Sequence, residues 1–149
     1  MISFLTIAAV ASIGLMIGVE FAVSAFINPI LLQLEDRPRA QATRLFARRL
    51  GTAMPFWYVL NFVLLIAAWV LLRHASGASL LAAAAGIWAA AVVLSVAVLV
   101  PINNRLVQPE VHESPAQAHR EHRRWDSLHR VRVIALAAAM VLFLIAVHF

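Results

Sequence analysis

The sequence contains no cysteine and no lysine. Without thiols, disulfides and thiolate metal ligation have no part in its chemistry. Charge of either sign is scarce: 13% of the 149 residues are charged, whereas 63% are hydrophobic. A soluble domain is roughly half apolar and about a quarter charged, so too little polar surface is present to cover a water-soluble globule. An ordinary soluble enzyme, a disordered tail and a secreted disulfide scaffold are therefore excluded. The mean hydropathy of +0.88 points instead to an integral membrane protein. With lysine missing, arginine supplies all 12 basic residues behind the net charge of +5. These arginines cluster at the edges of apolar segments, which is a topology signal and not the footprint of nucleic-acid binding.

Four apolar segments are present, at about residues 2–27, 53–72, 78–102 and 131–149. Each matches the roughly 20 residues that cross a hydrocarbon core. The expected fold is all-α: one integral membrane domain over residues 1–149, a four-helix transmembrane bundle. Val23-Ser24-Ala25 resembles a signal-peptidase site. However, no basic residue precedes the first apolar run, and that run exceeds a signal core, so the segment is expected to persist as a span.

The connection between the first and second segments holds Arg37, Arg39, Arg44, Arg48 and Arg49. The connection between the third and fourth, with its boundary, holds Arg105, Arg120, Arg123, Arg124, Arg130 and Arg132, and the opposite side holds only Arg73. This bias predicts a multi-pass protein of the inner membrane with both long connections cytoplasmic and both termini outside. Ser114-Pro115 reads as an N-cap with proline at the first helical position. The fourth helix would then run about 34 residues, or ~50 Å, its first half extending into the cytoplasm as a charged stalk. From Arg39 to Leu50, Leu45, Phe46 and Leu50 share one side, as in a short helix at the headgroup boundary or a plain connecting helix.

Several polar residues stand where a membrane tolerates them poorly. Glu20 falls about one turn inside the expected cytoplasmic interface, where a carboxylate usually faces the bundle interior. It reads as a proton acceptor, a metal ligand or one half of a structural ion pair. Asn28 lies two turns further on, with Ser24 between; Asn28-Pro29 also reads as the end of the helix. Trp57 and Asn61, at i and i+4, share a face of the second span, and Pro55 suits its first turn. Trp57 could be an interfacial anchor and Asn61 interhelical glue. Pro101 is expected to distort the last turn of the third span, leaving Asn103, Asn104 and Arg105 at its cytoplasmic mouth. There the amides suit a substrate oxygen or simply cap the helix. Trp69 and Trp88 are expected as lipid or interface anchors.

On the fourth helix, Trp125, His129 and Arg132 form one stripe at i, i+4 and i+7, and histidine suits proton transfer near neutral pH. His119, His122, Asp126 and His129 are spaced 3, 4 and 3. Neighbouring pairs among His122, Asp126 and His129 could ligate a metal with outside help; a solvated charged face is the simpler reading. Glu20, Asn28, Trp57, Asn61, Asn103, Asn104, Trp125, His129 and Arg132 come from all four helices and are all expected toward the cytoplasmic side, which argues for a shared site.

Gly18-Val19-Glu20 to Asn28-Pro29, Pro55, Pro101-Ile102-Asn103 with Arg105, and Trp125-x-x-x-His129-x-x-Arg132 together resemble the anthrone oxygenase-like family of small four-span membrane proteins. Many members of that family have no assigned reaction; fungal ones oxidise anthrones to anthraquinones with dioxygen. The resemblance implies an oxidoreductase acting on a small, apolar, enolisable aromatic. Such an enzyme needs a base, donors for the developing oxyanion and an apolar pocket. His129 would be the base and Glu20 its orienting or proton-accepting partner. Asn103, Asn104 or Arg132 would hold the oxyanion, and Trp57 and Trp125 would stack on the substrate. The scheme requires no cofactor and leaves room for a bound metal or haem. Its partners are the substrate, dioxygen and the lipid bilayer, with no nucleic acid. A non-catalytic protein that binds or carries a small apolar molecule, or an accessory subunit, is the alternative. A proton-linked transporter is a third reading and would call for a homo-oligomer, since one four-helix chain offers little room for a path.

Overall fold

The computed structural model describes residues 2–106 and 115–148, and all secondary structure among these residues is helical. Four long helices form the bundle. Helix α1 covers residues 2–33, made of Ile2–Ala22, a π turn at Val23–Ile27 and Asn28–Gln33. Helix α2 is Asp36–Leu71. Helix α3 covers residues 78–106, made of Ala78–Leu94, a π turn at Ser95–Leu99 and Val100–Leu106. Helix α4 is Pro115–His148. All four are long and apolar enough to cross a membrane. The expected cap residue Ser114 lies outside the described residues.

Two expectations about helix ends are corrected. Asn28-Pro29 does not end α1, which continues to Gln33. Pro55 does not open a helix, because α2 begins at Asp36 and passes through Pro55 as one 36-residue element. The residues from Arg39 to Leu50 are thus the first half of the second helix and not a separate one. An interior proline removes one N–H and crowds the carbonyl four residues back; at Pro55 that residue is Gly51, whose flank is open.

The prolines of α1 and α3 are accommodated alike. In α1 the Asn28 N–H donates to the Val23 carbonyl, and Pro29 follows. In α3 the Val100 N–H donates to the Ser95 carbonyl, and Pro101 follows. Each proline is therefore preceded by one wide i→i−5 turn. Such turns locally re-aim side chains and are frequent at functional sites.

The core is built from Ile13 and Met16 of α1, Leu65 of α2, Leu81 and Trp88 of α3, and Leu136 and Phe143 of α4, all fully buried. The expectation that Trp88 anchors to lipid is corrected: it is buried, and its Nε1 donates to the Tyr58 carbonyl at 3.1 Å. That bond satisfies the indole N–H and lets the ring fill the core. Ala84, Ala91, Ala139 and Ala146 are buried where α3 meets α4, and small side chains there let the two backbones approach closely. The turn before α3 is tighter still. A Cβ on Gly77 would lie 2.3 Å from the Ala146 carbonyl oxygen.

Candidate functional site

Where the two π turns face α4, four helices contribute to one buried polar cluster. Its centre is Glu20, 3% exposed. Tyr58 OH donates to Glu20 Oε1 at 2.8 Å, and Arg132 Nη2 donates to Oε2 at 2.7 Å. Arg132 Nη1 donates to Ser95 Oγ at 2.9 Å, and that hydroxyl donates to the Ala91 carbonyl at 2.7 Å. The guanidinium also lies 5.4 Å from the centre of the Tyr58 ring. One carboxylate and one guanidinium balance, so the cluster is neutral and nearly saturated. That satisfies the condition for burying an ion pair.

His129 is 1% exposed and has both ring nitrogens engaged. Nε2 lies 3.1 Å from the Glu20 backbone carbonyl, and Nδ1 lies 2.9 Å from Arg132 Nη2 and 3.3 Å from Glu20 Oε2. A carbonyl only accepts, so Nε2 carries the proton and Nδ1 presents its lone pair to Arg132. On its face Trp125 is stacked at 4.8 Å, with the rings 9° from parallel.

Beside the cluster lies a cavity of about 280 Å³ with an overwhelmingly apolar lining. Glu20, Asn28, Asn103, Trp125, His129 and Arg132 line it, so six of the nine residues expected to converge do so. The other three do not. Asn104 is exposed and off the cavity. Trp57 and Asn61 belong to a second cluster deeper in the bundle. There Trp57 Nε1 donates to Ser12 Oγ at 3.0 Å, Ser12 Oγ to Asn61 Oδ1 at 2.6 Å, and Asn61 Nδ2 to Met16 Sδ at 3.3 Å. Helical spacing put Trp57 and Asn61 on one face correctly, but that face turns to α1 one to two turns away from Glu20.

Sequence reasoning missed Tyr58 and Ser95, which hold the ends of the Glu20–Arg132 pair. Tyr58 is the one tyrosine of the chain. A lone tyrosine deep in an apolar span needs a partner for its hydroxyl, and that signal was available.

Further along α4, Asn28 Nδ2 donates to Asp126 Oδ1 at 2.7 Å, and Arg130 Nη2 lies 2.7 Å from Asp126 Oδ2. With Asp126 and His129 each taken by other partners, the alternative of a metal held by His122, Asp126 and His129 gains no geometric support. Among the described residues no group of three or more His, Cys, Asp or Glu is placed to hold a metal ion. Two buried side-chain nitrogens among these residues have no hydrogen-bond partner, His122 Nε2 and Arg132 Nε. Both residues line the cavity. An unmet buried polar atom costs ~1–3 kcal/mol; both nitrogens are themselves closed off, so the two side chains meet the cavity through other atoms.

The cavity has a side opening. Its lining residues on α1 and α4 are buried or partly buried, whereas Pro55 and Val59 of α2 and Val96 and Val100 of α3 are exposed. The mouth lies between α2 and α3 and is rimmed by apolar side chains.

The anthrone oxygenase family model matches residues 42–142. No match was found among curated proteins or among solved structures.

Proposed function

The chain belongs to the anthrone oxygenase family, and on that premise we propose that it is a membrane-embedded oxidoreductase that oxidises a small, apolar, enolisable aromatic with dioxygen. The observation that carries this reading is an apolar cavity lined by Arg132, whose guanidinium is held in place by Glu20 and Ser95. An anthrone-like substrate has a carbonyl opposite an acidic methylene. When the methylene loses a proton, charge moves to the carbonyl oxygen, and a fixed, desolvated guanidinium N–H stabilises that oxyanion. The enolate then reacts with dioxygen. The methylene carbon loses both C–H bonds and gains a C=O; one oxygen atom of dioxygen ends in that carbonyl and the other leaves as water.

In this scheme Glu20, Tyr58 and Ser95 are positioning residues that fix the Arg132 plane. His129 buttresses Arg132 through Nδ1 and acts as a base once substrate replaces Arg132 at that nitrogen. Trp125 and the aliphatic wall take the aromatic faces, and Asn103 offers a second donor at the cavity edge. The site sits on the cytoplasmic side of the inner membrane, with the first half of α4 extending into the cytoplasm. The arginine distribution supports this orientation.

A second reading, a binder or carrier of the same apolar molecules, is favoured by the saturation of Glu20 and His129, which leaves few groups free for chemistry. Dioxygen uptake by the protein in nanodiscs, with a panel of enolisable aromatics, separates the two. The oxygenase reading expects one dioxygen consumed per methylene oxidised and a loss of ~10²–10³-fold in Arg132→Gln, the size typical of a lost oxyanion donor. Equal rates in the wild type and Arg132→Gln would reject the role of Arg132. Tight binding without uptake would establish the carrier reading.

A further inference from the structure

We propose that Thr43 of α2 and Asn103 of α3 form a hydrogen-bonding end of the cavity and select aromatic ligands that carry an uncharged hydroxyl. The proposal rests on the reading of this cavity as an aromatic-binding site. Asn28, Thr43, Tyr58, Ser95 and Asn103 are the hydroxyl and amide side chains of its wall. Asn28 is held by Asp126, Tyr58 by Glu20, and Ser95 by Arg132 and the Ala91 carbonyl. Thr43 and Asn103 make no side-chain hydrogen bond among the described residues, and no polar atom of either is closed off. Helical hydroxyls often turn back to the carbonyl four residues earlier, as those of Thr52 and Ser95 do; the hydroxyl of Thr43 does not. Both side chains are half-buried, so they reach the cavity with donors and acceptors unspent.

Helix register brings the two residues together. The Trp88 indole donates to the Tyr58 carbonyl at 3.1 Å, which sets α2 against α3 at that level. Thr43 lies 15 residues before Tyr58, and Asn103 lies 15 residues after Trp88. The helices run in opposite directions, so both positions come out at one level, ~22 Å from that contact. Arg132 is bound to Ser95, which precedes Asn103 by ~12 Å along α3. The cavity thus has a charged end at Arg132 and an uncharged polar end at Thr43 and Asn103, with Phe46, Leu50, Leu99 and Trp125 in its wall. Arg44 and Arg105 stand near Thr43 and Asn103 in the chain, but both are exposed and neither lines the cavity. A threonine hydroxyl and an asparagine amide each donate and accept. That matches a ligand hydroxyl, which does both, better than a carboxylate, which has no proton to give the amide oxygen. A flat fused-ring molecule with a carbonyl toward Arg132 and a hydroxyl at its other end fits the two ends together.

The test compares 2-hydroxyanthraquinone with anthraquinone at mildly acidic pH, where the hydroxyl keeps its proton. The full-length protein in nanodiscs is titrated with each compound, and each affinity is referred to the compound's partition into empty nanodiscs. A neutral hydrogen bond is worth about two- to tenfold in affinity, so the wild type should favour the hydroxylated compound by about 4- to 100-fold when both bonds form. Thr43→Val and Asn103→Leu keep the size of the side chain and remove its hydrogen bond. Each should lower that preference about two- to tenfold, and the double variant should abolish it. The preference is the readout because a merely structural loss weakens both compounds alike. Helix content with size-exclusion behaviour establishes that each variant is folded, and should Asn103→Leu fail to fold, Thr43→Val decides alone. No preference in the wild type, or the wild-type preference kept in the variants, would overturn the roles of Thr43 and Asn103 and leave the cavity reading intact. No binding of either compound by the wild type would overturn both.

Discussion

Arg132 Nη2 lies 2.7 Å from Glu20 Oε2, joining residues 112 apart in the chain. With Tyr58 on Oε1 and Ser95 on Nη1, this contact is where all four helices meet. Removing one member leaves the other as an uncompensated buried charge, at a cost of ~3–5 kcal/mol. Arg132→Gln and Glu20→Gln should each lower the thermal midpoint in detergent markedly. The double variant should lose clearly less than the two single losses combined, since neither charge is then left alone. Strictly additive losses would show that the pair is not coupled.

The second polar cluster gives a contrasting expectation. Ser12 bridges Trp57 and Asn61 and does not line the cavity. Ser12→Ala leaves a buried amide oxygen unmet and should cost ~1–3 kcal/mol of stability. Affinity for an anthraquinone dye and turnover of the folded fraction should stay at wild-type values. A large loss of binding with normal stability would tie the two clusters together functionally.

How much of this was legible beforehand differs from residue to residue. Span number followed from length and hydropathy, because the hydrocarbon thickness imposes it. Glu20 stands out because charge in an apolar run has few physical excuses, and His129 and Arg132 because they share one helical stripe with Trp125. The two π turns were not legible. A proline in a helical pattern announces a defect, but whether the helix ends, as Asn28-Pro29 suggested, or widens by one residue depends on packing against neighbours. The same limit explains Trp88. An indole in a span reads equally as an interface anchor or as core, and the Tyr58 carbonyl that decides the matter is 30 positions away. Trp57 and Asn61 were placed on the right face, but which neighbour that face meets is set by helix rotation, which spacing alone does not fix.

Gly77 tests the close approach of α3 to α4. Its added Cβ would meet the Ala146 carbonyl oxygen at 2.3 Å and the Ala146 Cα at 2.8 Å. These are backbone atoms that cannot rotate away. Gly77→Ala should therefore lower the thermal midpoint. Gly86→Ala, where nothing lies within 4 Å, should be neutral or slightly stabilising. Equal behaviour of the two variants would refute the tight contact.

Orientation is checked against a cysteine-free background. Ala75, in the turn between α2 and α3, and Arg44, in the first half of α2, are both exposed. With the arginine-rich connections cytoplasmic, Ala75→Cys should react with an impermeant maleimide added to intact cells. Arg44→Cys should react only after lysis. The reverse pattern would invert the bundle and put the cavity's polar end in the outer leaflet.

The side mouth predicts a kinetic effect without a chemical one. Val96 is 66% exposed and lines the cavity, whereas Val93, one turn earlier on the same helix, is 65% exposed and does not. Both positions face outward from α3, so a tryptophan at either is accommodated without disturbing the core. At Val96 it would stand in the gap facing Val59 and Pro55 of α2, and an apolar ligand dissolved in the bilayer would have to displace it. Val96→Trp should slow uptake of an anthraquinone dye, such as 1,2-dihydroxyanthraquinone, from the membrane several-fold in stopped-flow absorbance, with release slowed in parallel and equilibrium affinity changed little. Val93→Trp should bind at the wild-type rate, because its indole projects into lipid beside the mouth. If both variants bind as fast as the wild type, the ligand reaches the cavity by another route, past the ends of the helices, and the gap between α2 and α3 serves only to seat lipid chains.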